Sequence, residues 1–365
     1  MQPHRLMAGF NAHAGRGFIA LTQLATRRGW VRGPSNDREV LGEHDFRYRV
    51  RRDFVRAETA PPVENAHEMV FDRAGRLYLL TDHPQNNVLV FGADGEVVDT
   101  WTLGMQGAHG LSMATEGDAE FLFVCDAYGG RVVKTTLHGE VVLELPSPHA
   151  LGVYGAFESY QPTQTAVAPN GDVYVADGYG SDRVLRFDAG GHYLQHFGGH
   201  GEGPADLRNA HGVAIDARRG PGLETLLVTS RVQQCIKRFS LSGEYLDTIA
   251  LPGGFPCRPV VHASNVYVGL CWSGAYLRPN TGFVVVLGSD DQVVATLGGH
   301  REGTGSTSSL RSDYSTFTHV HDVAVDAAGD LYVCEWNAGN RYPVRLERLD
   351  ARSDAPVPTG VRRGG

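Results

Sequence analysis

The chain has 365 residues, of which 42% are hydrophobic and 20% are charged, so it can bury a large core without help from a partner. Its formal net charge of −8 argues against nucleic-acid binding, because contacts to phosphates need a basic face. Its 46 glycines follow no collagen period and helix-length apolar stretches are scarce, which favours many short strands joined by tight turns.

Residues 1–40 are predicted to form an N-terminal extension of unknown role. Arginines interrupt its short apolar pieces, so it lacks the continuous apolar centre of a secretory signal. No apolar run in the chain is long enough to cross a bilayer, and we expect no membrane contact. The five cysteines are an odd number without a CxxC pair, which indicates neither a disulfide framework nor a thiolate metal site. A reducing, cytoplasmic location is the simplest interpretation.

From residue 63 onward one pattern recurs: a polar residue or histidine, an apolar run, a turn and an alternating strand. Clear copies are NAHEMVFDRAGRLYLLTD from Asn65, GAHGLSMATEGDAEFLFVCD from Gly107 and HVHDVAVDAAGDLYVCEW from His319. The residue just before each apolar run marks the repeat, and successive markers are 42 to 63 residues apart. Spacing of that order is typical of propeller blades. The six markers are His67, His109, Thr163, His211, Arg258 and His321.

These markers predict an all-β fold, a six-bladed β-propeller of the NHL-repeat type over residues 41–355, followed by a flexible tail over residues 356–365. A further degenerate blade within residues 275–315 stays open. A propeller must also close, and FRYRVRRDF from Phe46 is predicted to complete the last blade beside YPVRLERL from Tyr342. Because each marker precedes the innermost strand of its blade, the markers are expected to ring the channel at one face.

Four of the six markers are histidines, although the whole chain has only 16. A single histidine at a strand start is most often held by nearby carbonyl groups, but four at equivalent positions indicate a metal site. Neutral imidazole binds zinc, iron or copper, and ligands on rigid strands leave a coordination position open for catalysis. The predicted ligands are His67, His109, His211 and His321. The other two markers, Thr163 and Arg258, and the nearby His319 are candidates for substrate binding.

Three segments resemble the catalytic core of peptidyl-α-hydroxyglycine α-amidating lyase. They are QPTQTAVAPNGDVYVADGYGSDRVLRF from Gln161, FGGHGEGPADLRNAHGVAID from Phe197 and HVHDVAVDAAGDLYV from His319. The resemblance covers roughly residues 63–350. That family is a six-bladed NHL-type propeller with a three-histidine zinc site and a structural calcium.

The resemblance implies a role for each matching residue. The zinc ligands would be His109, His211 and His321, the catalytic tyrosine Tyr179, an active-site arginine Arg231 and the calcium-ligating aspartate Asp322. In the implied reaction, zinc polarises the hydroxyl of a carbinolamide, a base takes its proton and the carbon–nitrogen bond breaks. A tyrosine with an ordinary pKa near ~10 needs the field of zinc and Arg231 to act as that base. A packing role for Tyr179, and solvated or turn-capping roles for Arg231 and Asp322, are the structural alternatives.

The chain departs from this family in three respects. An arginine that the family uses on the substrate is missing from LLTDHPQNN, where Asp82 and His83 follow the second strand of the first blade. His67 adds a fourth histidine, and the family's disulfide cysteines are not matched, since Gly180 follows Tyr179. We therefore expect a metal-dependent lyase whose small-molecule or peptide substrate stays open, as does the oligomeric state.

Two alternatives to the lyase stay open. One is an oxygenase or other redox enzyme in which four histidines hold ferrous iron or copper. The other is a non-catalytic interaction scaffold with structural histidines, because a fold alone carries no activity.

Overall fold

The structure, a computed structural model, describes residues 39–57, 59–305, 308–314 and 316–349. Most of the predicted extension and the whole predicted tail lie outside these residues. Strands and turns make up the described part of the chain, which contains no α-helix and thus no helix that could span a membrane. The all-β prediction is confirmed.

Six antiparallel sheets form the blades of a propeller. Two short strands precede the first blade, β1 (Val40–Leu41) and β2 (Tyr48–Arg51). Blade one contains β3 (Ala66–Phe71), β4 (Leu77–Thr81), β5 (Val88–Phe91) and β6 (Val97–Trp101). Blade two contains β7 (Ala108–Glu116), β8 (Ala119–Asp126), β9 (Arg131–Thr136) and β10 (Val141–Glu144). Blade three contains β11 (Gln164–Val167), β12 (Val173–Ala176), β13 (Arg183–Phe187) and β14 (Tyr193–Gly198).

The remaining blades follow in chain order. Blade four contains β15 (Ala210–Asp216), β16 (Thr225–Ser230), β17 (Cys235–Ser240) and β18 (Tyr245–Ala250). Blade five contains β19 (Gly254–His262), β20 (Asn265–Ser273), β21 (Phe283–Leu287) and β22 (Val293–Leu297). A separate hairpin, β23 (Gly299–Glu302) and β24 (Ser309–Ser312), comes next. Blade six contains β25 (Val320–Val325), β26 (Leu331–Glu335) and β27 (Val344–Arg348).

An N-terminal strand closes the ring of blades, as predicted. Strand β2 pairs antiparallel with β27, so that Tyr48 is opposite Arg348 and Val50 is opposite Leu346. Strand β1 adds a fifth strand to this blade. The segment that left room for a further blade holds the two-stranded hairpin β23–β24, and the described residues therefore form six blades.

The hydrophobic core is divided among the interfaces between neighbouring blades. Leu79 and Leu89 of blade one, for example, pack with Ala324 and Tyr332 of blade six. Strands in the middle of a blade are covered on both faces, which is why β4, β5 and β21 are apolar almost throughout and fully buried. Adjacent innermost strands contact one another around the ring, from β25 back to β3. Residues at their starts are thereby held close together on a rigid frame.

Candidate active site

The four marker histidines meet at the centre of the ring of blades. Each is the second residue of its innermost strand, namely β3, β7, β15 or β25. In all four strands the pairing with the next strand shifts register at the histidine, which marks a β-bulge. A bulge removes a residue from the ladder and redirects its side chain. The bulges therefore turn the four imidazoles toward one another.

The imidazoles form a compact, buried cluster. The ring centroid of His109 lies 4.9 Å from that of His67, 4.7 Å from that of His211 and 4.9 Å from that of His321. The His321 ring is also 4.9 Å from the rings of both His67 and His211. Burial, with smaller contributions from the neighbouring histidines and from Arg231, holds the pKa of His109, His211 and His321 well below its ordinary value. These imidazoles are therefore neutral and can offer lone pairs to a metal.

Among the described residues, two sets of three side chains bring their ligand atoms within 4.8 Å of one another. The first set is His67, His109 and His321. The second set is His211, Cys257 and His321. Both sets share His321, so the four histidines and Cys257 belong to a single cluster.

Backbone carbonyl groups orient two of the imidazoles. Nδ1 of His109 lies 2.8 Å from the carbonyl oxygen of Thr163, and Nδ1 of His321 lies 2.8 Å from that of His67. An imidazole that donates one N–H to a carbonyl group presents its other nitrogen for coordination, an arrangement common in metal sites. Gly110 makes the first contact possible, because a Cβ there would lie 2.5 Å from the Thr163 carbonyl oxygen.

His67 is oriented by a carboxylate instead. Its Nε2 lies 3.5 Å from the Asp82 carboxylate, which also accepts hydrogen bonds from the backbone and side chain of Asn65. Its Nδ1 is buried without a hydrogen-bond partner, as is Nδ1 of His211. A buried polar atom left unpaired costs about 1–3 kcal/mol, so both nitrogens are suited to binding a ligand. A donor set of imidazoles fits zinc, iron or copper.

Tyr179 lies against the histidine cluster. Its hydroxyl is 3.0 Å from Nε2 of His109 and 3.1 Å from Nε2 of His211. Burial raises the pKa of this hydroxyl above its ordinary value, while the positive charge of Arg231 opposes the rise. The tyrosine predicted to be catalytic is thus within hydrogen-bond reach of two predicted ligands.

Arg231 is buried on the blade-five side of the cluster. Its Nε donates to the carbonyl oxygen of Pro256 at 3.2 Å, and its Nη2 donates to Sγ of Cys257 at 3.0 Å. The guanidinium also lies 5.2 Å from the centroid of the Trp272 ring. An arginine has five N–H donors, and these two hydrogen bonds engage two of them.

The three residues predicted to bind substrate occupy different surroundings. Thr163 is buried, and its hydroxyl donates to the carbonyl oxygens of Ala176 and Ala210. Its carbonyl oxygen contacts Nδ1 of His109. Thr163 therefore helps to orient His109, one of the predicted metal ligands. Its direct contact with substrate stays a prediction.

Both ring nitrogens of His319 are engaged. Its Nδ1 lies 3.1 Å from the carbonyl oxygen of Trp336, and its Nε2 accepts a hydrogen bond from the backbone of Asn280 at 3.3 Å. Burial lowers the pKa of His319 to about 4. The ring is therefore neutral and packs against the Trp336 ring, with centroids 5.8 Å apart.

Arg258, the third candidate, is buried and forms an ion pair with Asp322. Substrate contacts by His319 and Arg258 also stay predictions.

Three side chains of the site were missed by reasoning from the sequence. Cys257 gives no metal-site signal in the sequence, because no cysteine pair has metal-binding spacing, although it directly precedes the marker Arg258. Asp82 is noticeable in the sequence only as part of the stretch that lacks the family's arginine, and Glu68 gives no signal beyond its position next to His67. Repeat position identifies which residues start the innermost strands, but it does not show which neighbours they contact.

The fold and the site together define a six-bladed propeller with a central cluster of four histidines. No family model matches the chain. It is 24% identical over 301 residues to a probable peptidyl-α-hydroxyglycine α-amidating lyase, pgal-1, of Caenorhabditis elegans, which covers 78% of this chain and 80% of that protein. It is also 26% identical over 137 residues to NHL repeat-containing protein 3 of Homo sapiens, which covers 36% of this chain and 40% of that protein.

A solved structure agrees with the architecture. Virginiamycin B lyase from Staphylococcus aureus superposes with a TM-score of 0.51 at 12% identity, covering 78% of this chain and 95% of that one. At this identity the likeness concerns the fold alone. The protein is thus a six-bladed β-propeller that is similar to the amidating lyase and to NHL repeat-containing protein 3.

Proposed function

We propose that the protein is a metal-dependent lyase that cleaves a carbon–nitrogen or similar bond at a hydroxylated carbon of a small molecule or peptide end. The observation that carries this proposal is the Tyr179 hydroxyl, placed 3.0 Å and 3.1 Å from the Nε2 atoms of His109 and His211 inside a cluster of four imidazoles. The similarity to the Caenorhabditis elegans protein supports the same class of reaction.

In this proposal His109, His211 and His321 hold a zinc ion, and His67 is a fourth ligand through its unpaired Nδ1. Zinc, when bound, supplies a Lewis acid for a substrate hydroxyl and a positive field that favours the tyrosinate form of Tyr179. Tyr179 takes the proton of that hydroxyl, and the oxygen electrons form a carbonyl group as the carbon–nitrogen bond breaks. Tyr179 then returns the proton to the departing nitrogen, which gives an amide and a carbonyl compound.

Asp82 bears on the choice of substrate. It belongs to the stretch LLTDHPQNN, which lacks the arginine of the resembling family, and its carboxylate faces His67 at the edge of the cluster. The carboxylate of a hydroxyglycine would lose a cationic partner there and meet a negative charge instead. A hydroxylated end without a carboxylate therefore suits this site better than peptidyl-hydroxyglycine.

A direct assay tests the proposed reaction. The zinc-loaded protein is incubated with a peptide ending in α-hydroxyglycine and with the matched N-hydroxymethyl amide, which lacks the carboxylate, and amide release is followed by mass spectrometry. We expect cleavage, faster for the uncharged substrate, and its loss in His211→Ala but not in the surface variant His192→Ala. Failure to cleave either substrate by the loaded protein would count against this substrate class.

A four-histidine redox enzyme is a second candidate, because His67 lies in the cluster with its Nδ1 available. Four imidazoles with open positions also suit ferrous iron or copper. Oxygen consumption by the iron- or copper-loaded protein, with none of the amide release described above, would favour this candidate.

A further inference from the structure

A buried network of polar side chains lies beside the histidine cluster in the channel. It consists of Glu68, Arg258 and Asp322, which are 0%, 8% and 0% exposed. Glu68 directly follows His67 in strand β3, and Asp322 directly follows His321 in strand β25. The two carboxyl groups are therefore one residue further along the innermost strands than the predicted metal ligands, whereas Arg258 is itself a marker.

The guanidinium of Arg258 is surrounded by four oxygen atoms. Its Nε donates to Oδ1 of Asp322 at 2.9 Å, and its Nη2 donates to Oδ2 at 2.8 Å. Its Nη2 also donates to the carbonyl oxygen of Met69 at 2.8 Å, and its Nη1 donates to that of Leu111 at 3.1 Å. Carboxylate and backbone carbonyl oxygens are the ligands that Ca²⁺ prefers in proteins.

These oxygens are not available to a calcium ion while Arg258 is in place. Asp322, the residue matched to the calcium ligand of the resembling family, has both carboxylate oxygens engaged by Arg258, and Oδ2 also accepts the backbone N–H of Met69 at 2.8 Å. A divalent cation on the same oxygens would lie within a few ångströms of the guanidinium, and this like-charge repulsion is strong in a buried site. The residues therefore do not fit the implied calcium.

We infer that Arg258 is a built-in cation that replaces a structural calcium, so that this propeller joins its blades without the ion. The guanidinium, on blade five, joins blades one, two and six through Met69, Leu111 and Asp322. Glu68 extends the network, since its Oε2 accepts hydrogen bonds from the backbone of Leu111 at 2.7 Å and from the side chain of Gln164 on blade three at 2.5 Å.

The first test uses the wild-type protein. Its calcium content is measured by mass spectrometry after gel filtration in calcium-free buffer containing zinc, and its melting temperature is compared in calcium chloride and in EGTA followed by zinc replacement. We expect well under one calcium ion per chain and the same melting temperature in both conditions. One retained calcium ion per chain, or a lower melting temperature that calcium alone restores, would overturn the inference.

The second test converts the network into a calcium site. Arg258→Ala leaves the Asp322 carboxylate and two carbonyl oxygens around a cavity, so its melting temperature should fall and then rise by several degrees in calcium chloride. Magnesium chloride should raise the melting temperature of this variant much less, because Mg²⁺ demands a tighter octahedral shell of ligands. The double variant Arg258→Ala/Asp322→Asn lacks the ligating carboxylate and should show no calcium response. A folded Arg258→Ala protein indifferent to calcium would refute the replacement, and if this variant does not fold, the wild-type measurement decides.

Discussion

The Tyr179 hydroxyl is the single group whose removal best separates proton transfer from metal binding. Tyr179→Phe deletes only that hydroxyl and keeps a ring whose centroid lies 4.9 Å from that of His109 and 5.5 Å from that of His211. We expect unchanged metal content and unfolding midpoint, with turnover lower by about 10²-fold or more, the usual contribution of a general base. Arg231→Ala should likewise retain the metal. Full turnover in Tyr179→Phe would remove the proposed base.

His67 distinguishes a four-histidine centre from a three-histidine centre. If its Nδ1 is a ligand, His67→Ala should lower zinc occupancy about as much as His211→Ala does, as measured by equilibrium dialysis against a zinc buffer. The matched control is His83→Ala, which changes a histidine on the same blade that contacts the side chain of Asn86 at 3.3 Å. Normal occupancy in a folded His67→Ala protein would assign His67 to positioning or substrate contact instead.

At the scale of single elements, the β-bulges explain which part of the site the sequence could predict. The repeat located the starts of five innermost strands, whereas the sixth marker, Arg258, is the fifth residue of β19. At four of these starts the register shift turns a histidine into the cluster. Blade three differs, because β11 begins at Gln164 and leaves Thr163 ahead of the strand. There the backbone carbonyl, not the side chain, contacts His109. Equivalent positions in the repeat thus lie at the same level of the channel in different blades. The strand pairing at each position determines whether its side chain or its backbone faces the channel.

The loop that carries Tyr179 is anchored by the carboxylate of Asp177. This group accepts hydrogen bonds from the backbone of Gln161 at 2.6 Å, the backbone of Ser181 at 2.8 Å and the hydroxyl of Tyr154 at 2.9 Å. Burial, only partly offset by these hydrogen bonds, raises the pKa of Asp177 to about 7.

Between about pH 4 and pH 7 the Asp177 carboxyl is therefore protonated in the folded chain, whereas it is ionised in the unfolded chain. This protonation stabilises the folded chain. Its contribution to the free energy of unfolding is completely present below about pH 4 and is lost as the pH rises toward 7. Urea unfolding at several pH values should show a smaller decline in Asp177→Asn than in the wild type. Parallel pH profiles for the two proteins would contradict this assignment.

At the scale of the whole molecule, the number of blades and their closure followed from the sequence. Each blade carries its own apolar pattern, and YRVR of β2 offered a strand for the open edge of blade six. The Glu68, Arg258 and Asp322 network could not be predicted in the same way. Arg258 contacts residues 64, 147 and 189 positions away, and such distant contacts depend on how the blades face one another rather than on any local pattern.

The metal content of the purified protein is the measurement that tests the central claim most directly. After dialysis against metal-free buffer, inductively coupled plasma mass spectrometry should find about one zinc ion per chain, the stoichiometry of a single catalytic centre. Removal of that zinc should abolish turnover, and its return should restore it. One iron or copper ion per chain would contradict the lyase in favour of a redox enzyme, and a folded protein without metal that is insensitive to chelators would contradict the metal centre itself.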